Sequence, residues 1–283
     1  LKQAKLDARV MSVGNIQVGG AGKTPLVTLI ANEAAQRGMK VCILTRGYRS
    51  EWEKSGGIIR SGSPPADSRQ CGDEPALLHD LSPFAFLGVG ANRVAVFQKL
   101  LSEVQGKIDL VILDDGFQNW KIKKDLEIVA VTSARWGDVL FRDRFQTLSQ
   151  ADLLVWTKGK SRPKDFGRPM VHVDYRLNPN SSPTPLWLVT GIAHGKLAYE
   201  LALEAGYSIV KHLEFRDHAH YDQREIERIL KGAQRQGCHV ALTGKDWVKW
   251  RDFGVSSFDV VILEPKLEFV EGKEIWTRTL WGE

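Results

Sequence analysis

Val10-Met11-Ser12-Val13-Gly14-Asn15-Ile16-Gln17-Val18-Gly19-Gly20-Ala21-Gly22-Lys23-Thr24-Pro25-Leu26-Val27-Thr28 reads as an apolar strand that enters a glycine-rich loop, and the loop opens a helix. Gly19, Gly20 and Gly22 carry no Cβ to block positive φ, so successive backbone N–H groups can turn toward one point. The unpaired first-turn amides and the helix dipole add to that anion site. Lys23 is placed to reach β- and γ-phosphates, and the Thr24 hydroxyl to ligate Mg²⁺. Pro25 fits the first helical turn, where its missing N–H costs nothing. The strict phosphate-loop pattern has glycine five positions before Gly22, and this chain has Gln17 there. The strand–loop–helix context survives that departure. It marks Gln17, Val18, Gly19, Gly20, Ala21, Gly22, Lys23 and Thr24 as a nucleotide-phosphate site, against the blander alternative of a glycine-rich turn before an ordinary helix.

Outward from this stretch, short apolar runs alternate with amphipathic ones. Strands are predicted over residues 9–13, 40–44, 85–89, 109–113, 126–131 and 153–156. Helices are predicted over 25–37, 72–80 and 91–105, the last with apolar Val94, Phe97, Leu100 and Leu101 on one face. Residues 50–69, rich in Gly, Ser and Pro, read as a long surface loop or hairpin. The expected fold class is α/β, a P-loop NTPase-like parallel sheet flanked by helices. Five prolines between 161 and 185 mark a boundary, giving an ATP-binding domain over 1–178 and a smaller α/β domain over 179–283 that contributes to the substrate cleft. In that second part strands are expected at 186–190, 208–213 and 240–243, and helices at 196–205 and 222–236. Ligands of parallel sheets collect at the carboxyl ends of the strands, so residues 46–48, 72–74 and 114–118 can share one cleft.

Composition narrows the class. At 283 residues, with 43% hydrophobic and 26% charged residues, the chain is a globular protein with room for two domains. Its net charge of +5 favours a polyanionic partner, whether nucleotide, anionic lipid or nucleic acid, without choosing among them. Nine tryptophans suit a membrane interface, although core and rim positions are the commoner use. Cys42, Cys71 and Cys238 form no CxxC pair, which fits a reducing cytosol, with Cys42 a small core residue. No apolar run is long enough to span a bilayer. The chain begins with Leu1 rather than Met, which leaves room for a preceding anchor.

Other candidates for chemistry follow. Asp114 and Asp115 end an apolar strand, as Mg²⁺-binding carboxylates do in nucleotide sites, with a solvated turn as the alternative. Adjacent side chains on a strand point oppositely, so one of the two is expected to act directly. Asp73, in Gly72-Asp73-Glu74-Pro75, is either a functional carboxylate on a rigid turn or a helix cap. His218 and His220 sit in a polar cluster. No Cys or third His lies at ligand spacing, so a base or relay role is favoured over a zinc site, with plain surface histidines the alternative. Thr157-Lys158-Gly159-Lys160 has Lys160 where guanine recognition needs Asp, so GTP specificity has no support. Lys121, Lys123 and Lys124, and the basic run over 158–164, read as solvated faces, with a lipid or polyanion contact the minority reading.

Taken together, Ser12-Val13-Gly14-Asn15, residues 18–25, Arg46-Gly47-Tyr48, Gly72-Asp73-Glu74-Pro75, Asp114-Asp115-Gly116-Phe117-Gln118, Asp217-His218 and Thr243-Gly244-Lys245-Asp246 resemble the tetraacyldisaccharide 4'-kinase family of lipid A synthesis. The matches run in the family's order from about residue 10 to 250. The resemblance implies phosphorylation, with ATP and Mg²⁺, of the 4'-hydroxyl of an acylated glucosamine disaccharide 1-phosphate. It implies a monomer in peripheral contact with the cytoplasmic face of the bacterial inner membrane, and no nucleic-acid partner. Carried over, Asp73 is the base toward the sugar hydroxyl, His218 is its partner, Lys23 offsets charge on the transferred group, and Gln118 joins the nucleotide-binding residues.

The chain departs from the family pattern at four places. Asn119 stands for a histidine, and Ala219 for the second histidine of Asp-His-His, which leaves His218 against His220 open. Residues 139–141 with Arg142-Asp143 replace a longer stretch ending in Arg-Glu, and the family's hydrophobic N-terminal helix is not in this sequence. Two rival readings are a nucleotide-switch or partitioning ATPase that acts through partners, and a soluble sugar kinase.

Overall fold

The computed structural model describes residues 3–17, 21–133, 140–159, 161–163, 165–217, 219–256 and 260–283. Two compact units emerge: residues 1–66, 70–174 and 267–283 in the first, and 67–69 and 175–266 in the second.

The first unit opens with β1 (Arg9–Asn15), α1 (Lys23–Gln36) and β2 (Val41–Thr45). Then come α2 (Trp52–Ser55), β3 (Gly57–Ile59), α3 (Ser68–Cys71), which begins in the second unit, and α4 (Asp73–Leu81). β4 (Phe86–Val89), α5 (Arg93–Glu103), β5 (Leu110–Asp114), β6 (Leu126–Thr132), β7 (Leu153–Lys158) and β8 (Met170–Arg176) complete the run. The second unit holds β9 (Leu186–Thr190), α6 (Gly195–Glu204), β10 (Ile209–Glu214), α7 (Gln223–Arg235), β11 (His239–Thr243), α8 (Gly244–Trp250) and β12 (Val260–Leu263). The chain then returns to the first unit through β13 (Lys266–Glu271) and α9 (Lys273–Trp281).

Among the described residues the first sheet has the order β13-β8-β7-β6-β1-β5-β2-β4-β3. From β8 through β4 neighbouring strands are parallel, and β3 pairs antiparallel with β4 at the edge. β2 and β5 are buried along their whole length, the pattern of strands covered on both faces. One core packs α5 residues Phe97 and Leu100 against Val10, Cys42, Leu44, Val111 and Leu113; another joins Ile16, Phe117, Val129 and Leu154. Strand order reverses around β1, with β5, β2 and β4 on one side and β6, β7 and β8 on the other. Such a reversal opens a crevice at the strands' carboxyl ends. The second sheet, β10-β9-β11-β12, is parallel throughout.

Three expectations need correction. Residues 161–185 are not a plain boundary, because β8 lies inside them and pairs with β7. Its prolines flank the strand, and Met170 to Arg176 contains none to interrupt the ladder. The 50–69 segment, expected as a long surface loop or hairpin, holds one helical turn at Trp52–Ser55, and Gly57–Ile59 pairs not within the segment but as an edge strand on β4. The boundary at 178/179 also misplaces 267–283, which lies in the first unit.

That return is held by a half-buried carboxylate. Glu33 on α1 accepts hydrogen bonds from Trp276 Nε1 (3.0 Å) and Trp281 Nε1 (2.7 Å) of α9 and its end. Arg37 lies over the Trp281 ring at 4.5 Å and pairs with Glu283 at 3.1 Å. Trp276 is fully buried, so removing its acceptor leaves an indole N–H unpaired. Glu33→Ala is expected to cost about 2–3 kcal/mol in thermal melts, with Glu33→Gln recovering most of it because an acceptor remains. Equal melting of Glu33→Ala and the parent would show that α9 docks without this contact.

Candidate active site

β1 lies between β5 and β6 with Val13 opposite Asp114 and Asn15 opposite Ala130, so three strand ends come level. Gly14 permits this closeness, since a Cβ there would collide with the Phe117 side chain and come within 2.7 Å of its backbone N. Asn15 is fully buried and ties the loop's two arms together. Its Nδ2 donates to Gln17 O (2.7 Å), and its Oδ1 accepts from Lys23 Nζ (3.1 Å). Gln17 has its own work, which explains a side chain where the strict pattern has none: its Oε1 accepts from Thr132 Oγ1 at 2.8 Å. Thr157 Oγ1 donates to Ala21 O at 2.9 Å, fastening the far side of the loop to β7. Val18, Gly19 and Gly20 lie outside the described residues.

Gly22 caps α1 in the left-handed conformation (φ +82°), and no side chain caps the helix. The first turn also contains no acidic residue. Its amides therefore keep their capacity for an anion, and no acidic side chain of the turn itself opposes one. Thr24 is the second residue of this helix and half-buried.

Facing the loop, β5 ends in Asp114, 4% exposed, whose Oδ2 accepts from Thr45 Oγ1 at 2.8 Å. Asp115 follows in the left-handed region (φ +50°), so the strand has ended and the opposite-facing rule no longer applies. Asp115 Oδ1 lies 3.3 Å from Lys23 Nζ, an ion pair without a directed hydrogen bond, and its Oδ2 accepts from Arg142 Nη1 at 2.9 Å. Burial pushes the Asp114 carboxyl up to about 6, helped by the Glu74 and Asp115 charges and opposed by Lys23 and the Thr45 hydroxyl. Burial acts on Asp115 in the same sense, yet Lys23 and Arg142 outweigh it and hold that carboxyl below its ordinary value. Asp115 pairs directly with Lys23, and Asp114 lies near enough to feel the same charge.

These oxygens fit a hard divalent cation. Among the described residues no three His, Cys, Asp or Glu side chains converge as a metal cage. Mg²⁺ at phosphates takes one or two carboxylates and otherwise keeps water and phosphate oxygens.

Asp73 is the first residue of α4, behind Gly72 (φ +99°), and its Oδ1 accepts from Glu74 N at 2.9 Å. The cap position belongs to Gly72, so Asp73 is not the cap residue; the nearness of Glu74 to Asp114 brings this helix end to the strand ends. Gln118 Nε2 donates to Asn15 O (2.9 Å) and Asp143 Oδ2 (2.6 Å), which spends its amide nitrogen on the walls of the site. His218 lies outside the described residues. In the second unit His220 and Asp217 are exposed, and the segment they belong to is anchored by Tyr221, whose hydroxyl donates to buried Asp246 at 2.9 Å. Asp246 also accepts from Gly191 N (3.0 Å) and Thr243 Oγ1 (2.7 Å).

Sequence reasoning did not single out Asn15, Thr45 or Arg93, and took Arg142 and Asp143 only as remnants of a longer motif. The 141–143 segment reaches the loop because Gln17 bridges Phe141 and Arg142 N donates to Ile16 O at 2.7 Å. A polar residue ending an apolar strand, as Asn15 and Thr45 do, was the available signal.

A family model described as tetraacyldisaccharide-1-P 4'-kinase (LpxK) matches residues 1–281. The tetraacyldisaccharide 4'-kinase of Geobacter metallireducens is 31% identical over 270 residues, covering 87% of this chain and 79% of that one. Its namesake from Brucella ovis is 33% identical over 260 residues, covering 85% and 73%. A crystal structure of an "apo" form of LpxK from Aquifex aeolicus in complex with ATP superimposes with a TM-score of 0.81 at 25% identity, covering all of this chain and 90% of that one.

Proposed function

Since this chain belongs to the tetraacyldisaccharide 4'-kinase family, we propose that the site at the ends of β1 and β5 transfers the γ-phosphoryl group of ATP to the 4'-hydroxyl of a tetraacylated glucosamine disaccharide 1-phosphate. The observation that carries the reading is Lys23. It is held between Asn15 and Asp115 at the mouth of a helix whose first turn has neither a side-chain cap nor an acid. Lys23 and the amides of the loop would hold the β- and γ-phosphates and offset the charge that shifts during transfer. Asp114, Asp115 and Thr24 would hold Mg²⁺, which when bound neutralises phosphate oxygens and keeps them in line. Asp73 accepts the proton of the 4'-hydroxyl as its oxygen bonds to the γ-phosphorus, and the bond to the β-phosphate oxygen breaks to release ADP.

An acceptor with four acyl chains resides in a bilayer, and ATP places the reaction on the cytoplasmic face of the inner membrane, where the protein works as a peripheral monomer. No helix among the described residues is long and apolar enough to cross a membrane. Trp120, 52% exposed, stands beside exposed Lys121 and Lys123, a composition attracted to anionic lipid interfaces.

The test is transfer of labelled γ-phosphate from ATP to the tetraacyl disaccharide 1-phosphate in vesicles containing an anionic phospholipid. Mg²⁺-dependent product with kcat/KM well above that for a deacylated acceptor is expected. Equal efficiency on the deacylated acceptor would point instead to a soluble sugar kinase. Acceptor-independent hydrolysis with ATP-driven dimerisation would point to a nucleotide switch.

A further inference from the structure

Arg93 is the first residue of α5, directly behind Asn92, whose side chain caps the helix by accepting from Ala95 N at 3.2 Å. A cation in the first turn is opposed by the helix dipole. Arg93 is also buried, 9% exposed, where an arginine is costly unless it is well partnered. Helix stability therefore does not account for it. Its Nη2 donates to the main-chain carbonyl of Asp114 at 2.6 Å, and its buried Nε has no hydrogen-bond partner. The guanidinium grips the peptide between Asp114 and Asp115.

That peptide precedes the left-handed Asp115 (φ +50°), a conformation a non-glycine residue keeps only when its surroundings impose it. On the other side, Gly116 N donates to Val13 O at 3.0 Å. The turn is thus clamped at both ends, by Arg93 before Asp115 and by β1 after it. Within the clamp, consecutive carboxylates that would diverge on a continuing strand both come under the Lys23 charge.

We propose that Arg93 is a positioning residue that holds the Asp114–Asp115 turn in the shape needed to bind Mg²⁺ with ATP. The inference rests on the kinase reading of the site. Two effects of the guanidinium compete. As a nearby positive charge it opposes a divalent cation; as a clamp on the turn it aligns the ligands. The sign of the mutational effect separates them. Groups that orient metal ligands typically change metal affinity or activity by roughly 10–100-fold when removed.

The experiment is a Mg²⁺ titration of ATP turnover for the parent, Arg93→Met, Arg93→Lys and Arg93→Ala, with thermal melts of each across the same Mg²⁺ range at fixed ATP, so that the midpoint of the melting shift reports metal binding independently of turnover. Half-saturating Mg²⁺ is expected to rise by roughly 10–100-fold in Arg93→Met and by less in Arg93→Lys, which keeps a donor but loses the planar fork. Added guanidinium ion should lower the value again in Arg93→Ala. A merely structural role lowers the folded fraction, and with it kcat, but leaves half-saturating Mg²⁺ where it was. Should Arg93→Met not fold, Arg93→Lys and the guanidinium arm carry the test. Unchanged or tighter Mg²⁺ dependence in the folded variants overturns the proposal. Absence of Mg²⁺-dependent turnover in the parent overturns instead the kinase reading beneath it.

Discussion

Asp114→Asn is expected to make the ligand-free protein more stable at pH 7.5 while removing its Mg²⁺-dependent turnover. The Asp114 carboxyl is buried, and burial, then the Glu74 and Asp115 charges, raise it to about 6 from an ordinary 3.8. A group raised on folding contributes stability that is full below its unfolded value and is lost as pH rises through the folded one. Above pH 6 the ionised side chain therefore costs about 3 kcal/mol relative to its neutral form, at 1.36 kcal/mol per unit. Asparagine is neutral at every pH and still offers an oxygen to the Thr45 hydroxyl. The gain in melting temperature should shrink as pH falls through 6 and vanish near the ordinary carboxylate value.

Mg-ATP should reverse the ranking, because it stabilises whichever protein binds it. Turnover in Asp114→Asn should fall about a hundredfold or more. In the parent, half-saturating Mg²⁺ should rise below pH 6, as protons and metal compete for one oxygen pair. A variant that melts lower than the parent at pH 7.5 would mean that Asp114 bears no such buried charge.

Asp73→Asn should lower kcat by about 10²–10⁴-fold, the range for a positioned proton acceptor, with little change in the KM for Mg-ATP. The substitution isolates the chemistry. Asp73 Oδ1 accepts from Glu74 N at the start of α4, and asparagine can make the same bond, so the helix end is preserved. Parent-like kcat in Asp73→Asn removes the residue from the base role, and a loss confined to KM reassigns it to acceptor binding.

The phosphate loop was legible because its chemistry is local. Glycines, Lys23 and Thr24 must be consecutive to present amides, ammonium and hydroxyl to one ligand, so the text carries them in order. The parallel sheet was legible for a similar reason, since strands covered on both faces read as unbroken apolar runs such as Leu110–Asp114. Gln17 shows where this stops. Its departure from glycine looked like a weakness of the motif, but its partner is Thr132, 115 positions away. Arg93 carried a readable anomaly, a cation at a helix start, without any hint of which carbonyl it would meet. β8 was read as a boundary because prolines surround it, although the strand itself contains none.

The order of the apolar runs, the glycine loop and the carboxylates at a strand end determined by themselves that this is an α/β nucleotide-site protein of the 4'-kinase family, because each depends on neighbours in the chain. Tertiary structure alone decided that Asp115 pairs with Lys23 beside buried Asp114, that Arg93 grips the peptide between the two aspartates, and that residues 267–283 close back onto α1. Those arrangements depend on strand order and on a left-handed turn. Both are set by which surfaces pack together, across separations that a linear pattern does not encode.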